Sequence, residues 1–599
     1  MAPRNTSDGS SRGGRGNSNR QSDRGKSNRG QGYSSVPSSL LRDRIKGNIA
    51  LSNRAACVFA LFAAVALVFF CRLVYLQVIA SEQLSSEAEA SRTIDIELPP
   101  KRGTIYDRNG NVLATDVEAS TIYCDPTEIE DAEAVSAQLA AILGGGKSDY
   151  VTALTRADTS FSYIERKADL EKAEKVRALD IKGIYFLSDT KREYPYGEVG
   201  GQIIGLVDID GNGLTGLELY YNDILSGTAG HLLMEQGRTG ITIAGTNVRT
   251  EAVDGRDIVI SLDIETQKYV EKQVKDSAKR MGGESGQAIL MDGATGEIIA
   301  ACSTPFLDLN KTSDIKEGAT ELRCFTQAFE PGSIFKPVTM LAALEADVIT
   351  PKTEIYCPEK LRADEYYVSD AHKRDSKTFN VTEILEQSSN VGLSLIGKKL
   401  GFNNLYNKID QYHLNMELTG VDYPGEATGY LTDPSTWSTI TSYNVTFGQG
   451  VSETPLAMCR FYSAFVNQGK ICSPHFLISK PQDGGEVKYE TTVITEDQDA
   501  INELNDMMIG VVKNGTGKSA AIDGFDVAGK TGTAEYADEA TGGYVDNSYN
   551  LSFIGYLPNS DSDLVCFVGV THVPTDSTTT AIFQDIMSYA IGRYNINQQ

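Results

Sequence analysis

Metal and disulfide chemistry have little to work with in this sequence of 599 residues. Its five histidines stand apart from one another, with no H-E-x-x-H and no triad-like set. Nine cysteines are scattered without a C-x-x-C pair. Cys57 and Cys71 lie in an apolar segment, and the other seven make an odd number, which argues against a full disulfide framework. No metal and no cofactor is expected. Positive charge is scarce beyond the first 54 residues: the formal charge of −25 divides into +8 for residues 1–54 and −33 for the remainder. An acidic body argues against nucleic acid as a partner. The length is too great for one core and points to two to four domains.

Residues 1–39 are Gly, Ser, Asn, Arg and Gln with almost nothing to bury, and read as disordered. Arg12-Gly13-Gly14-Arg15-Gly16 has the composition of RNA-binding segments. A basic tail lying near anionic lipid headgroups is the simpler reading. Ala55–Cys71 holds seventeen residues without a charge, and Leu73–Ala80 continues it past Arg72, whose side chain can snorkel. Val78-Ile79-Ala80 resembles a signal-peptidase site. The basic region and the apolar run are both too long for a signal peptide, so an uncleaved anchor is expected. The positive-inside rule then puts the N-terminus in the cytoplasm and residues 81–599 outside.

Beyond the anchor a polar, helix-like connector leads to Lys101–Ala114, which reads as strand, Asn109-Gly110 turn and strand. Residues 125–190 look helical and mixed. Two false leads follow. Gly211–Gly216 fits G-x-G-x-x-G, but no parallel strand–helix repeat surrounds it. Asp208–Gly213 begins like an EF-hand loop, yet Leu219 stands where the bidentate Glu belongs. A tight turn with structural glycines accounts for both. From Gly286 the pattern changes: Gln287–Met291 and Glu297–Ser303 read as a hairpin, and so do Leu551–Leu557 and Leu564–Val570. Between them lies mostly helix, including Met458–Asn467 and Asn502–Lys513, and Thr578–Tyr594 reads as a final helix. An antiparallel sheet built from both ends around a helical insert is an α+β architecture.

The chemistry is organised around Phe329-Glu330-Pro331-Gly332-Ser333-Ile334-Phe335-Lys336-Pro337. Ser333 and Lys336 stand three residues apart and share one face of a helix. Pro337 lacks an N–H and fits only a first turn, so the helix is expected to begin close to Ser333 and to be buried through Val338–Leu344. The helix dipole favours negative charge on the serine oxygen, and the same field with burial would lower the lysine's pKa. Alone, S-x-x-K is a weak signal, and a capped helix with a solvated lysine is the simpler reading. Two further stretches change that reading. Ser388-Ser389-Asn390 falls between helix-like Val381–Gln387 and Val391–Leu400, and Lys530-Thr531-Gly532-Thr533 follows a strand-like Gly524–Ala528. The trio S-x-x-K, S-x-N, K-T-G belongs to penicillin-interacting serine enzymes, with Ser389 where the class A β-lactamases have Asp.

On these residues, nearly everything after residue 50 resembles the class B penicillin-binding proteins. Lys101–Ala114, Gly213–Glu218 and Leu225–Gly230 look like that family's pedestal motifs. Phe447-Gly448-Gln449-Gly450 with Thr454-Pro455-Leu456 is similar to a recurring stretch of its transpeptidase domain. Glu330 and Ser388–Gly392 resemble the division and sporulation branch. No room exists for a glycosyltransferase domain between anchor and pedestal, and PASTA modules are not expected. The resemblance implies a basic tail over 1–50, an anchor over 51–80, a pedestal over 81–260 and a transpeptidase domain over 261–599.

It also implies D,D-transpeptidation of peptidoglycan stem peptides, with Ser333 as nucleophile, Lys336 as its base and Ser388 as proton relay. Asn390 would hold the donor amide and fix Lys336, and Lys530 would add positive potential. Thr531 and Thr533 would take the terminal carboxylate, while the N–H groups of Ser333 and Thr533 form the oxyanion hole. Gly532 would let the substrate backbone lie along the strand. β-Lactams would acylate Ser333, and a membrane glycan polymerase with division or sporulation proteins would be the partners, in a Gram-positive type of envelope. The rival readings are a D,D-carboxypeptidase or β-lactamase with the same trio, a non-catalytic division scaffold, and a β-lactam receptor. Arg102 and the pedestal glycines read as structural.

Overall fold

A computed structural model describes residues 42–81, 93–157, 159–235, 248–538, 543–574 and 577–599, so the tail over 1–39 lies outside the described residues. The described residues divide into two units, one holding residues 42–81 and the other the described residues from 94 onward. In the first, the helix Arg42–Val74 runs into a π-helical turn, Tyr75–Ile79. Within it, Asn53–Ile79 is 27 residues long with a mean hydropathy of 2.6. At ~1.5 Å per residue that is about 40 Å, enough to cross a hydrocarbon layer of ~30 Å. The Arg72 guanidinium lies 5.3 Å from the centre of the Tyr75 ring.

The connector expected as helix ends in a strand, Thr93–Leu98. Its apolar residues Ile94, Ile96 and Leu98 alternate with Asp95 and Glu97, a period of two that suits a strand. It joins Gly230–Glu235 and Val248–Thr250 in a small sheet. Ile105–Tyr106 and Val112–Cys124 flank the Asn109-Gly110 turn, where Gly110 takes φ +84°. Val112–Cys124 is the spine of the pedestal, paired with Ser162–Asp169 on one side and Ile184–Glu193 on the other. Helices Ala132–Leu143, Lys147–Leu154 and Leu170–Arg177 supply Leu139, Leu154 and Val176, which pack with Ile122 into a core of their own. The sheet also runs into the C-terminal half: Ile258–Ile260 lies parallel to Ile105–Tyr106 and antiparallel to Leu477–Lys480.

The second large sheet has the order Ile298–Ser303, Ser285–Asp292, Leu564–Val573, Gly543–Tyr556, Ala528–Asp538, antiparallel throughout. Both faces are covered, and side chains alternate between two cores. Ala288 and Leu290 pack with Val274 of Ile264–Met281 and Phe583 of Thr580–Tyr594. Ile289 and Met291 join the other core with Val338 and Leu341 of the helix Lys336–Glu345. That helix is buried from Lys336 to Leu344. Two expected helices begin earlier than read, at Pro455 and Gln498, because Thr454 Oγ1 and Asp497 Oδ1 cap them by accepting from Ala457 N and Ala500 N.

Candidate active site

Ser333 lies on a 3₁₀ turn, Gly332–Phe335, and the α-helix starts at Lys336, three residues later than the sequence reading placed it. Pro337 still falls in the first α-helical turn, and residues i and i+3 eclipse on a 3₁₀ turn, so serine and lysine keep a common face. The turn is clamped from behind. Gly332 N donates to Gly448 O at 2.9 Å, and Gly448 takes φ +86°, where a Cβ would stand 2.1 Å from Gly332 O. Glu330 Oε1 accepts from Gly450 N at 2.8 Å, and Tyr462 Oη donates to Ile334 O at 2.8 Å. Ser333 stays half-buried between buried Gly332 and Ile334.

Lys336 is fully buried, and its Nζ donates to Ser388 O at 2.5 Å, Asn390 Oδ1 at 2.8 Å and Ser388 Oγ at 3.0 Å. Ser333 Oγ makes no hydrogen bond among the described residues. Burial pushes the Lys336 ammonium down to about 7, against an opposing pull from the Asp370 charge. The partners decide what a neutral amine does. Two of them, a carbonyl and an amide oxygen, can only accept, so they take its two remaining protons. The lone pair is left for a hydroxyl, either Ser388 or Ser333. The amide of Asn390 is oriented by its Nδ2, which donates to Ser369 O at 3.1 Å.

Ser388 sits in the left-handed region at φ +54°, in the joint between the helices Val381–Glu386 and Asn390–Leu400. A non-glycine residue held there carries backbone strain and needs its surroundings to fix it. Ser389 does this as N-cap, accepting from Gly392 N at 3.0 Å and donating to Asp370 at 2.9 Å. Asp370 also accepts from Val391 N at 3.0 Å and pairs with Arg374 Nε at 2.5 Å. On the far side of Ser388, the fully buried Lys530 donates to its Oγ at 2.9 Å and to Thr531 O at 3.0 Å. Burial drives Lys530 well below the usual lysine range, and the Lys336 charge adds to the effect. The two amines therefore share one hydroxyl and titrate as a pair.

Lys530-Thr531-Gly532-Thr533 lies inside an edge strand, Ala528–Asp538, and not after one, since Gly524–Val527 forms no strand. Gly532 is also required by packing: a Cβ would stand 2.2 Å from Ser552 Oγ and 3.1 Å from Ile334 Cγ2. The glycine lets the sheet press against the serine turn from inside. Thr533 is exposed, and Thr531 Oγ1 shares a hydrogen bond with Thr516 Oγ1 at 2.7 Å. A cleft of about 240 Å³ is lined by Ser333, Ser388, Asn390, Gln449, Thr531 and Thr533. Lys336 and Lys530 close it from below through Ser388. Among the described residues no group of His, Cys, Asp and Glu is placed to hold a metal.

This geometry has counterparts. The penicillin binding protein transpeptidase domain matches residues 286–588, and the penicillin-binding protein dimerisation domain matches residues 97–260. A probable peptidoglycan D,D-transpeptidase, PbpC of Pseudomonas aeruginosa, is 31% identical over 86% of this chain and 90% of its own. Stage V sporulation protein D of Bacillus subtilis is 30% identical over 87% of this chain and 82% of its own. Penicillin binding protein 3 of Mycobacterium tuberculosis, solved with aztreonam, aligns at a TM-score of 0.65 and 25% identity, covering 84% of this chain and 97% of that one. This chain belongs to the penicillin-binding protein transpeptidases. It is a class B member of the division and sporulation type.

The pedestal of this penicillin-binding protein is pinned by charges that the sequence reading did not connect. Glu218 is fully buried and accepts from Arg102 Nε at 2.5 Å and Arg192 Nε at 2.8 Å. Arg102 also donates to Asn222 Oδ1 and Gly211 O, both at 2.9 Å. The loop with the two false leads is thus an anchor point for Arg102. Within it Asp208 accepts from Asp210 N and Asn212 N, both at 2.8 Å, and Gly211 takes φ +90°. Asp370 was also missed. It stands 18 residues before Ser388, and its spacing to Arg374 reads as an ordinary i, i+4 surface pair.

Proposed function

We propose that this protein is a peptidoglycan D,D-transpeptidase with Ser333 as nucleophile. Ser333 Oγ attacks the carbonyl of the penultimate D-Ala of a stem peptide, the terminal D-Ala leaves, and an amine of a neighbouring strand resolves the acyl-enzyme. Neutral Lys336 takes the serine proton, help typically worth about 10²–10⁴-fold. Ser388 passes that proton to the leaving amine. Asn390 fixes Lys336 and holds the donor amide, Lys530 supplies positive potential, and Thr531 and Thr533 receive the terminal carboxylate. The N–H groups of Ser333 and Thr533 form the oxyanion hole, each worth roughly 10²–10³-fold. Gly532 belongs to the same subsite by keeping the strand close to the serine turn. β-Lactams acylate the same serine.

The observation that carries this reading is a fully buried lysine, three residues from a half-buried serine on the same turn and joined by one hydroxyl to a second buried lysine. Transfer is favoured over hydrolysis by the state of Asp370, the carboxylate that lines the cleft. Its oxygens are engaged by Ser389, Val391 and Arg374, which leaves it poorly placed to activate a water. The proposed organisation is a cytoplasmic basic tail over 1–50, an anchor over 51–80, a pedestal over 81–260 and the catalytic domain over 261–599 outside the membrane. The charge of +8 before the apolar helix supports that orientation. A Gram-positive type of envelope, a glycan polymerase and division or sporulation proteins complete the proposal.

The test is covalent labelling of the full chain in detergent with a fluorescent penicillin, beside Ser333→Ala. A long-lived adduct lost in the variant is the expected result. Rapid release of the label would move the assignment to a hydrolase, and absence of label in folded protein would move it to a scaffold.

A further inference from the structure

A second cleft, of about 630 Å³, is lined by Arg323, Gln287, Phe329, Ser552, Phe567 and His572, among others. It adjoins the reaction centre through two walls. Phe329 is four residues before Ser333, and Ser552 pairs with Gly532 in the strand that carries Thr533. The cleft holds two complementary polar atoms that are buried and have no hydrogen-bond partner: the donor Arg323 Nε and the acceptor Gln287 Oε1. The Arg323 guanidinium has no ion-pair partner among the described residues. Gly318, at φ +74°, leaves room for it, since a Cβ there would stand 2.3 Å from Nη2. The nearby carboxylate, Glu284, is already paired with His572 Nδ1 at 3.2 Å. Apolar contact is offered by Phe329 and Phe567, whose rings lie 6.2 Å apart.

A buried donor without an acceptor and a buried acceptor without a donor each cost free energy until a ligand meets them. The ligand that meets both carries a carboxylate for the guanidinium and an N–H for the amide oxygen, with apolar surface between. A peptide with a free carboxylate has that combination. We propose that this cleft is a subsite for a carboxylate of the stem peptide, at a position upstream of the D-Ala–D-Ala bond, with Arg323 and Gln287 as its recognition pair. The proposal rests on the transpeptidase reading above and adds to it a preference for stem peptides with a free carboxylate.

The experiment is calorimetric titration of the full chain in detergent with two synthetic stem tripeptides that lack the scissile bond. They are identical except that the α-carboxylate of the γ-linked second residue is free in one and amidated in the other. The free form should bind about tenfold tighter, the low end for a hydrogen bond to a charged group. In Arg323→Gln the difference should vanish, and Arg323→Lys should restore part of it. Gln287→Met, which removes the amide while keeping the side chain's length, should weaken both peptides alike. Equal affinities in the wild-type protein, or a carboxylate preference that survives Arg323→Gln, would overturn the proposal. Penicillin labelling run in parallel reports on Ser333 separately, so a protein that binds the tripeptide but takes no label would retain the subsite and lose the transpeptidase reading. With full-length stems, a carboxylate preference in acyl-enzyme formation assigns the cleft to the donor strand. A preference confined to the transfer step assigns it to the acceptor.

Discussion

If Lys336 is the base, the rate of Ser333 acylation must follow the fraction of Lys336 that is unprotonated. With a pKa of about 7, that fraction is about one tenth at pH 6 and about nine tenths at pH 8. The second-order rate of penicillin acylation should therefore rise about tenfold across this interval and level off above pH 8. A lysine at its ordinary value of 10.5 would instead keep rising tenfold per unit through pH 9. The sign of a second perturbation is also fixed. The Asp370 charge raises the Lys336 pKa, so Asp370→Asn should move the midpoint to lower pH. Because Lys530 shares Ser388 Oγ, the midpoint belongs to the pair and not to one amine. Stopped-flow acylation of the full chain in detergent, from pH 5.5 to 9.5, makes the measurement (a range set by the ~7 midpoint). A log-linear climb past pH 9 would refute the depressed base, and an upward shift in Asp370→Asn would refute its electrostatic origin.

Three further outcomes can be checked. Lys336→Ala should lower the acylation rate by about 10²–10⁴-fold while leaving the fold intact by circular dichroism. Gly448→Ala puts a Cβ 2.1 Å from Gly332 O at φ +86°, so the serine turn must shift, and acylation should fall steeply in protein that remains folded by thermal melting. Glu218→Ala strips the carboxylate from two buried guanidiniums. Loss of a buried partner costs about 3–5 kcal/mol, to be read as a lower denaturation midpoint of the full chain; an unchanged midpoint would show that the two arginines find other partners.

What the sequence made legible was what lies close along the chain. Ser333 and Lys336 are one turn apart, and the short continuous apolar runs of Gln287–Met291 and Leu564–Val570 announce strands covered on both faces. Reasons that depend on distant neighbours stayed hidden. The substrate-facing role expected of Gly532 is local, whereas its need to clear Ser552 and Ile334, one on the neighbouring strand and one on the serine turn, depends on the fold. Asp370 governs the strained Ser388 through Ser389 and Val391, yet in sequence it sits in a polar stretch with nothing to mark it. Glu218 meets Arg102 across 116 positions. Thr93–Leu98 carries a sufficient pattern of its own, a period of two, although its polar residues resemble a helical connector.

The order of the catalytic sheet has a bearing on how the protein is made. Ser285–Asp292 pairs with Leu564–Val573, matching Asp292 to Leu564, and the edge strand with Lys530 reaches that sheet only through the hairpin that follows it. Nothing synthesised before residue 573 can complete the surface against which the serine turn is pressed. Closing so long a loop is slow, and the half-built sheet meanwhile offers bare strand edges to other chains. During synthesis the catalytic sheet therefore stays open until the strand ending at Val573 is available to join its first-made and later-made strands.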